Sequence, residues 1–140
     1  MSPQFDSLTV GDIVAERQVT LDRDSLVRYA GASGDFNPIH YRDDVAAGVG
    51  LPGVLAHGML TMGIAAGAAT DWAGGAHLVK DYQVRFTRPV LVDPQSGAVL
   101  DISAKVAALD AEAKTARVDL TVRFSGNTVL GKAQIVIGLD

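Results

Sequence analysis

The sequence predicts an α+β domain, one buried helix followed by an antiparallel meander, and three observations carry that expectation. A stretch of small apolar residues at about 55–69 has no polar face, and a helix that is apolar on every side is normally buried. The second half of the chain alternates apolar and polar residues in successive runs, the period of half-buried strands. Short polar turns separate most of those runs, and strands joined by short turns pair antiparallel. One helix and one such sheet make an α+β arrangement.

Length and composition bound what else the chain can be. Its 140 residues contain no repeat or low-complexity linker and fit a single domain, 1–140. There is no cysteine, which removes disulfides and thiolate chemistry and suits a reducing cytoplasm, the expected location. The net charge is −4 and the Lys and Arg residues are scattered, so no nucleic-acid partner is expected. The first residues lack the charged-then-apolar layout of a signal peptide. The longest nearly apolar stretch, 54–70, contains His57 and runs straight into Asp71. It falls short of the roughly 20 residues a membrane span needs, so no span is expected.

In chain order, residues 13–21 alternate as a strand, with Ile13, Ala15, Val19 and Leu21 apolar. Asp22 or Asp24 can cap a short helix through Leu26, Val27 and Tyr29 that ends at Gly31 or Gly34. Residues 33–38 are turn-rich, 43–47 fit one helical turn and 48–53 read as loop. The apolar helix follows, from about Leu55 to Ala69, with Gly58, Gly63 and Gly67 inside it. An interior glycine costs about 1 kcal/mol against alanine, so close approach of a sheet or a partner helix must offset three of them. Strands are expected over 79–86, 98–109, 115–124 and 128–139. In the third, Val118, Leu120, Val122 and Phe124 share one face and Asp119, Thr121 and Arg123 the other. Pro89, Pro94 and Gly97 interrupt the first pair, residues 110–114 form a polar connection, and Ser125, Gly126 and Asn127 form a tight hairpin turn.

Chemistry concentrates between Tyr29 and His40. Asp35 and His40 stand five residues apart on a loop rich in glycine and proline, the kind of segment that holds polar groups at a cleft. Pro38 fixes its own φ and biases Asn37 towards extended backbone. A carboxylate beside an imidazole supplies an acid and a base that work near neutral pH, although the same residue types also make ordinary turns.

The pattern of Gly34, Asp35, Asn37, Pro38 and His40, with Ala46 six positions on, resembles the hydratase signature of the MaoC-like family. Residues 56–60, around His57 and Gly58, look like the entrance to that family's central helix. The stretch from His57 to Ile64 is most similar to the branch of catalytic subunits that dehydrate (3R)-hydroxyacyl-ACP in type-II fatty-acid elongation. The resemblance is specific over about 29–63 and elsewhere rests on strand layout and length. It implies a hot-dog fold in which the sheet wraps the long central helix, small residues on the helix letting the sheet close tightly. It also implies a thioester substrate on ACP or CoA, and pairing with another hot-dog unit as a homodimer or as a heterodimer with a related subunit.

By the same resemblance Asp35 and His40 are the catalytic pair. In dehydration one group removes the C2 proton and the other protonates the departing C3 hydroxyl; His40 as the C2 base is favoured, and the reverse split stays open because coupled groups titrate together. The free N–H of Gly58 at the helix start is the expected dipole for the thioester oxygen. Asn37 is a candidate for orienting the pair or the substrate, against a plain turn role. His57 reads as a positioning or packing residue, Ser33 as a turn hydroxyl without a nucleophile elbow, and Trp72 and Tyr82 as packing or interface residues. His40, His57 and His77 lack a ligand spacing, so no metal is expected, and no cofactor either. The competing readings are an (R)-specific enoyl-CoA hydratase, a non-catalytic hot-dog partner and a thioesterase, which the hydratase signature disfavours.

Overall fold

In the computed structural model, which describes residues 2–140, strand β1 (Ile13–Leu21) is followed by helices α1 (Arg23–Ser33), α2 (Asp43–Gly48) and α3 (Gly58–Ala73), then by strands β2 (Val79–Phe86), β3 (Ala98–Asp110), β4 (Thr115–Phe124), β5 (Asn127–Thr128) and β6 (Leu130–Gly138). The long strands form one sheet in the order β1-β3-β4-β6-β2, and every pairing is antiparallel. Helix α3 touches all five of them, the hot-dog architecture that the motif implied.

Alternation sets the inner face. Leu100, Ile102, Ala104 and Val106 on β3 are buried, as are Ala116, Val118, Leu120 and Val122 on β4. Against them α3 presents Thr61, Ala65, Ala68, Ala69 and Ala73, which recur at helical spacing on one side. Alanine at four of these positions keeps the helix axis close to the sheet.

The opposite side of α3 is not covered by the sheet. Met59 is 58% exposed, Gly63 is exposed, and Leu60, Met62, Ile64 and Ala66 are half-buried. Tight closure of the sheet accounts for neither of the later glycines. A side chain at Gly63 would meet nothing within 4 Å, and one at Gly67 would meet only the Arg17 guanidinium at 3.9 Å. A single sheet covers one face of a helix, so the other face of this all-apolar one is left half-clad.

Two boundaries also move. The helix begins at Gly58 rather than near Leu55, because the preceding residues are extended: the Ala56 N–H donates to Val90 O, and the Val92 N–H to Val54 O. It runs on to Ala73, its Asp71 paired with Arg17 at 3.0 Å, and ends on Gly74 at φ 102°. The last run is two strands, not one. Register shifts between the Arg123–Thr128 and Asp119–Gln134 pairs, with Lys132 at φ 46° between them. Val129 lies between the two strands: its N–H donates to Val122 O on β4, and its carbonyl accepts from the Thr87 and Arg88 N–H groups. The hairpin turn itself is the tight one expected, with Ser125 and Gly126 both at positive φ.

Candidate active site

The loop that carries Asp35 is fixed by its own short side chains. Asp22 caps α1 in a reciprocal box with Ser25, and the helix closes on Gly34 at φ 76°. From there each polar side chain holds the backbone two residues on. Ser33 Oγ accepts the Asp35 N–H at 3.1 Å, Asp35 Oδ1 accepts the Asn37 N–H at 3.1 Å, and Asn37 Oδ1 accepts the Ile39 N–H at 3.2 Å. These are Asx- and Ser-type turns, and they lead into the 3-10 turn Pro38–His40. Asp35 Oδ2 is not used in this relay.

His40 is anchored from the other side. The Leu55 N–H donates to Ile39 O at 3.1 Å, and His40 Nδ1 lies 2.7 Å from Leu55 O. A carbonyl only accepts, so Nδ1 carries the hydrogen and Nε2 is the nitrogen free to gain or lose a proton. Nε2 lies 4.0 Å from Asp35 Oδ2. The two environments are unequal: the imidazole is 11% exposed and the carboxylate 50%.

His57 completes the group. It is 1% exposed, its ring stacks on that of His40 with centroids 3.9 Å apart, and Tyr29 meets it edge-on at 4.8 Å. His57 Nε2–H donates to the backbone carbonyl of Asp35 at 3.2 Å. Burial first of all, and the neighbouring His40 secondarily, push this imidazole below the ordinary histidine value. Its Nδ1 is buried without a partner among the described residues, an arrangement that typically costs about 1–3 kcal/mol.

Next in sequence, Gly58 opens α3, and the His57 side chain makes no capping bond to it. The Gly58 and Met59 N–H groups have no acceptor among the described residues, so the positive end of the helix is open. Gly58 and His40 line one pocket of about 320 Å³, together with Leu55, Thr61, Phe86, Arg88, Val129 and Leu130. The walls are mostly apolar, with His40, Thr61, Thr87 and Arg88 as the polar members. A Cβ at position 58 would lie 3.0 Å from the Phe86 ring. A wider surface groove across β1, β3 and β4, near Glu16, Asp101 and Arg123, holds none of these residues.

The structure thus places His40 and Gly58 on one pocket and Asp35 4.0 Å from His40 but outside that pocket's lining, with Asn37, the cap of the His40 turn, likewise not a pocket wall. Trp72 is half-buried against the core. Tyr82 donates to Met62 O at 2.7 Å, and burial raises its hydroxyl to about 12. The Leu55 carbonyl, the Tyr29 edge and the buried Thr61 were not singled out from sequence; a threonine three residues after Gly58 is one turn along the same helix face, and that spacing was the available signal. Asp35, His40 and His57 lie close enough to be examined as metal ligands. Ring planes only 22° apart and stacked at 3.9 Å cannot both contain one ion about 2.0–2.1 Å from each nitrogen. His77 is exposed in the turn Ala76–Leu78, away from the group.

Residues 6–124 match the family described as MaoC like domain. Among curated proteins, a 70-residue stretch is 44% identical to 3-hydroxyacyl-thioester dehydratase X of Mycobacterium tuberculosis, covering 50% of this chain and 24% of that protein. The 3-hydroxybutyryl-CoA dehydratase of Methylorubrum extorquens is 28% identical over 133 residues, 94% of this chain and 82% of that protein. A solved MaoC-like dehydratase superposes with a TM-score of 0.95 at 39% identity, over 99% of this chain and 43% of that one. The chain therefore spans about a quarter of the Mycobacterium tuberculosis dehydratase X and less than half of the solved MaoC-like dehydratase. The HadBC complex, a (3R)-hydroxyacyl-ACP dehydratase of Mycobacterium tuberculosis, has the same fold, with a TM-score of 0.73 at 18% identity over 93% of this chain and 97% of that one. Among the described residues no helix is long and apolar enough to cross a membrane.

Proposed function

The chain belongs to the MaoC-like domain family, and on that premise we propose that it adds water to trans-2-enoyl thioesters and removes it from (3R)-hydroxyacyl thioesters. One observation carries the reading: His40 Nδ1–H is committed to the Leu55 carbonyl, Nε2 faces Asp35 Oδ2 across 4.0 Å, and the same His40 lines a pocket with Gly58.

The pair works with one proton between them. In dehydration neutral His40 takes the C2 proton at Nε2, and protonated Asp35 gives its proton to the C3 hydroxyl, which leaves as water. Hydration is the reverse: Asp35 as carboxylate accepts a proton from water as the oxygen bonds to C3, and the His40 imidazolium protonates C2. The Leu55 bond persists in both states of the ring, so the imidazole does not turn during the cycle. Negative charge that builds on the thioester oxygen meets the Gly58 N–H and the open end of α3. Removing one such donor typically costs about 10²–10³ in rate. Asn37 orients the pair by holding the turn that carries His40.

The favoured substrate is an acyl-ACP in type-II fatty-acid elongation, supported by the stretch from His57 to Ile64 and by the thioester dehydratase of Mycobacterium tuberculosis. An (R)-specific enoyl-CoA hydratase is the second reading, favoured by the CoA dehydratase that matches nearly the whole chain. The half-clad face of α3 and the free edge of β2 are where a second hot-dog unit would sit, either another copy or a related subunit. A cysteine-free cytoplasmic enzyme fits the composition. The deciding experiment is turnover on trans-2-enoyl thioesters of rising chain length, carried on CoA and on ACP in parallel. Hydration without release of free thiol is expected. Thiol release, or no turnover by the chain alone or with a hot-dog partner, would defeat the reading.

A further inference from the structure

We propose that His57 is a positioning residue that ties the proton-carrying pair to the start of α3. Its Nε2–H holds the Asp35 backbone carbonyl at 3.2 Å, and its ring backs the His40 ring at 3.9 Å. The inference rests on the hydratase reading and extends it.

Three features separate this role from core packing. First, one side chain joins elements distant in sequence. Tyr29 comes from α1, Asp35 and His40 from the loop after it, and the residue that follows His57 supplies the candidate thioester donor. A shift of the His57 ring would move the acid/base pair relative to that N–H, and a misplacement of about 1 Å can cost about 10²-fold in rate. Second, His57 stands at the N-cap of α3 but makes no side-chain bond to the helix, so the ring is committed to the loop. Third, its Nδ1 is buried and unpartnered among the described residues. An apolar ring would fill the same space without that orphan, and would also lack the N–H that reaches Asp35.

The neutral state of His57 belongs to the same design. The titratable groups against it are Tyr29 on α1, Asp35 on the loop and His40 on the turn. Donation to a carbonyl requires hydrogen on Nε2, and a charged His57 would repel the His40 imidazolium stacked on it. Burial favours the neutral ring, which leaves His40 Nε2 and Asp35 as the groups that exchange protons in the proposed reaction.

The test replaces His57 by Phe, which keeps a ring and loses the N–H, and by Gln, whose amide places a donor at similar reach. Kinetics are measured on a trans-2-enoyl-CoA, with melting temperatures for each variant. His57→Phe is expected to fold and to lose about tenfold or more in kcat with little change in KM, and His57→Gln to recover much of that loss. A folded His57→Phe at wild-type kcat, or a His57→Gln no better than it, overturns the proposal. Nitrogen-15 spectra of the histidines in unsubstituted protein give an answer that does not depend on folding of variants. At neutral pH His57 should be a neutral Nε2–H tautomer, and an Nδ1–H tautomer or a charged ring there would overturn the proposal. Absence of turnover in the unsubstituted enzyme would instead count against the hydratase reading, leaving the tautomer result to stand or fall by itself.

Discussion

Replacing Asp35 by Asn separates chemistry from architecture more cleanly than any other single change at this site. The Asn side chain keeps an oxygen for the Asn37 N–H, the bond that Oδ1 makes at 3.1 Å, so the turn relay survives. What it loses is Oδ2, which faces His40 Nε2 at 4.0 Å on a side chain that is half exposed. Ion pairs that open to solvent contribute about 0–1 kcal/mol, so the melting temperature should fall by about 4 °C at most for a domain of this size. The rate should fall far more. A general acid or base supplies about 10²–10⁴-fold, equivalent to about 3–5 kcal/mol of transition-state stabilisation. Initial rates of enoyl-CoA hydration and a thermal melt on the same preparation give both quantities. Wild-type turnover in a folded variant removes Asp35 from the mechanism. A melting temperature lowered by more than about 10 °C, with activity lost in proportion, makes the carboxylate structural.

His40→Ala should lose activity comparably and also some stability, because it strands the Leu55 carbonyl; the double variant with Asp35→Asn should lose little more activity than either single change, since the two act as a unit, and fully multiplicative losses would place them in separate steps. Gly58→Val is expected to lower turnover through the crowding of its Cβ against Phe86, 3.0 Å away, and through a blocked approach to the backbone N–H; a stable variant with normal kcat would remove that N–H from the site. Light scattering at micromolar concentration should find a dimer, alone or with a co-expressed related subunit, and Met59→Asp should weaken it; a monodisperse, fully active monomer would contradict the pairing.

The limits of strands β3 and β4 could be read from alternation because each has one dry face, and the period of two survives in the sequence; in β1 and β2 the inner face is only half-buried, and polar residues still alternate with it for part of their length. Asp22 wins over Asp24 as the cap of α1 because Ser25, three residues on, returns the hydrogen bond to the Asp22 backbone. The start of α3 could not be read this way. Residues 54–56 are as apolar as the helix that follows, and only their pairing with residues 90–92 makes them extended. The break at Val129 was hidden for the opposite reason: the run from Thr128 to Gln134 has two more residues than the stretch of β4 it opposes, yet Val129, Ala133, Ile135 and Ile137 keep the same alternating phase across it. At the site, the order of Asp35, Asn37 and His40 reflects a relay of local turns and was legible as such. The tautomer of His40 and the stacking of His57 were not, because they depend on atoms 15 and 17 residues away along the chain.

The 4.0 Å gap between His40 Nε2 and Asp35 Oδ2 also bears on stereochemistry. A water oxygen at about 2.8 Å from each, a normal hydrogen-bond length, would sit at the apex of an angle of about 90° with both groups on the same side of it. For the proposed hydration, the oxygen that bonds to C3 and the hydrogen delivered to C2 then approach the planar alkene from one side. The addition is therefore syn, and the handedness of the alcohol is set by which face of the acyl chain the pocket turns toward this pair.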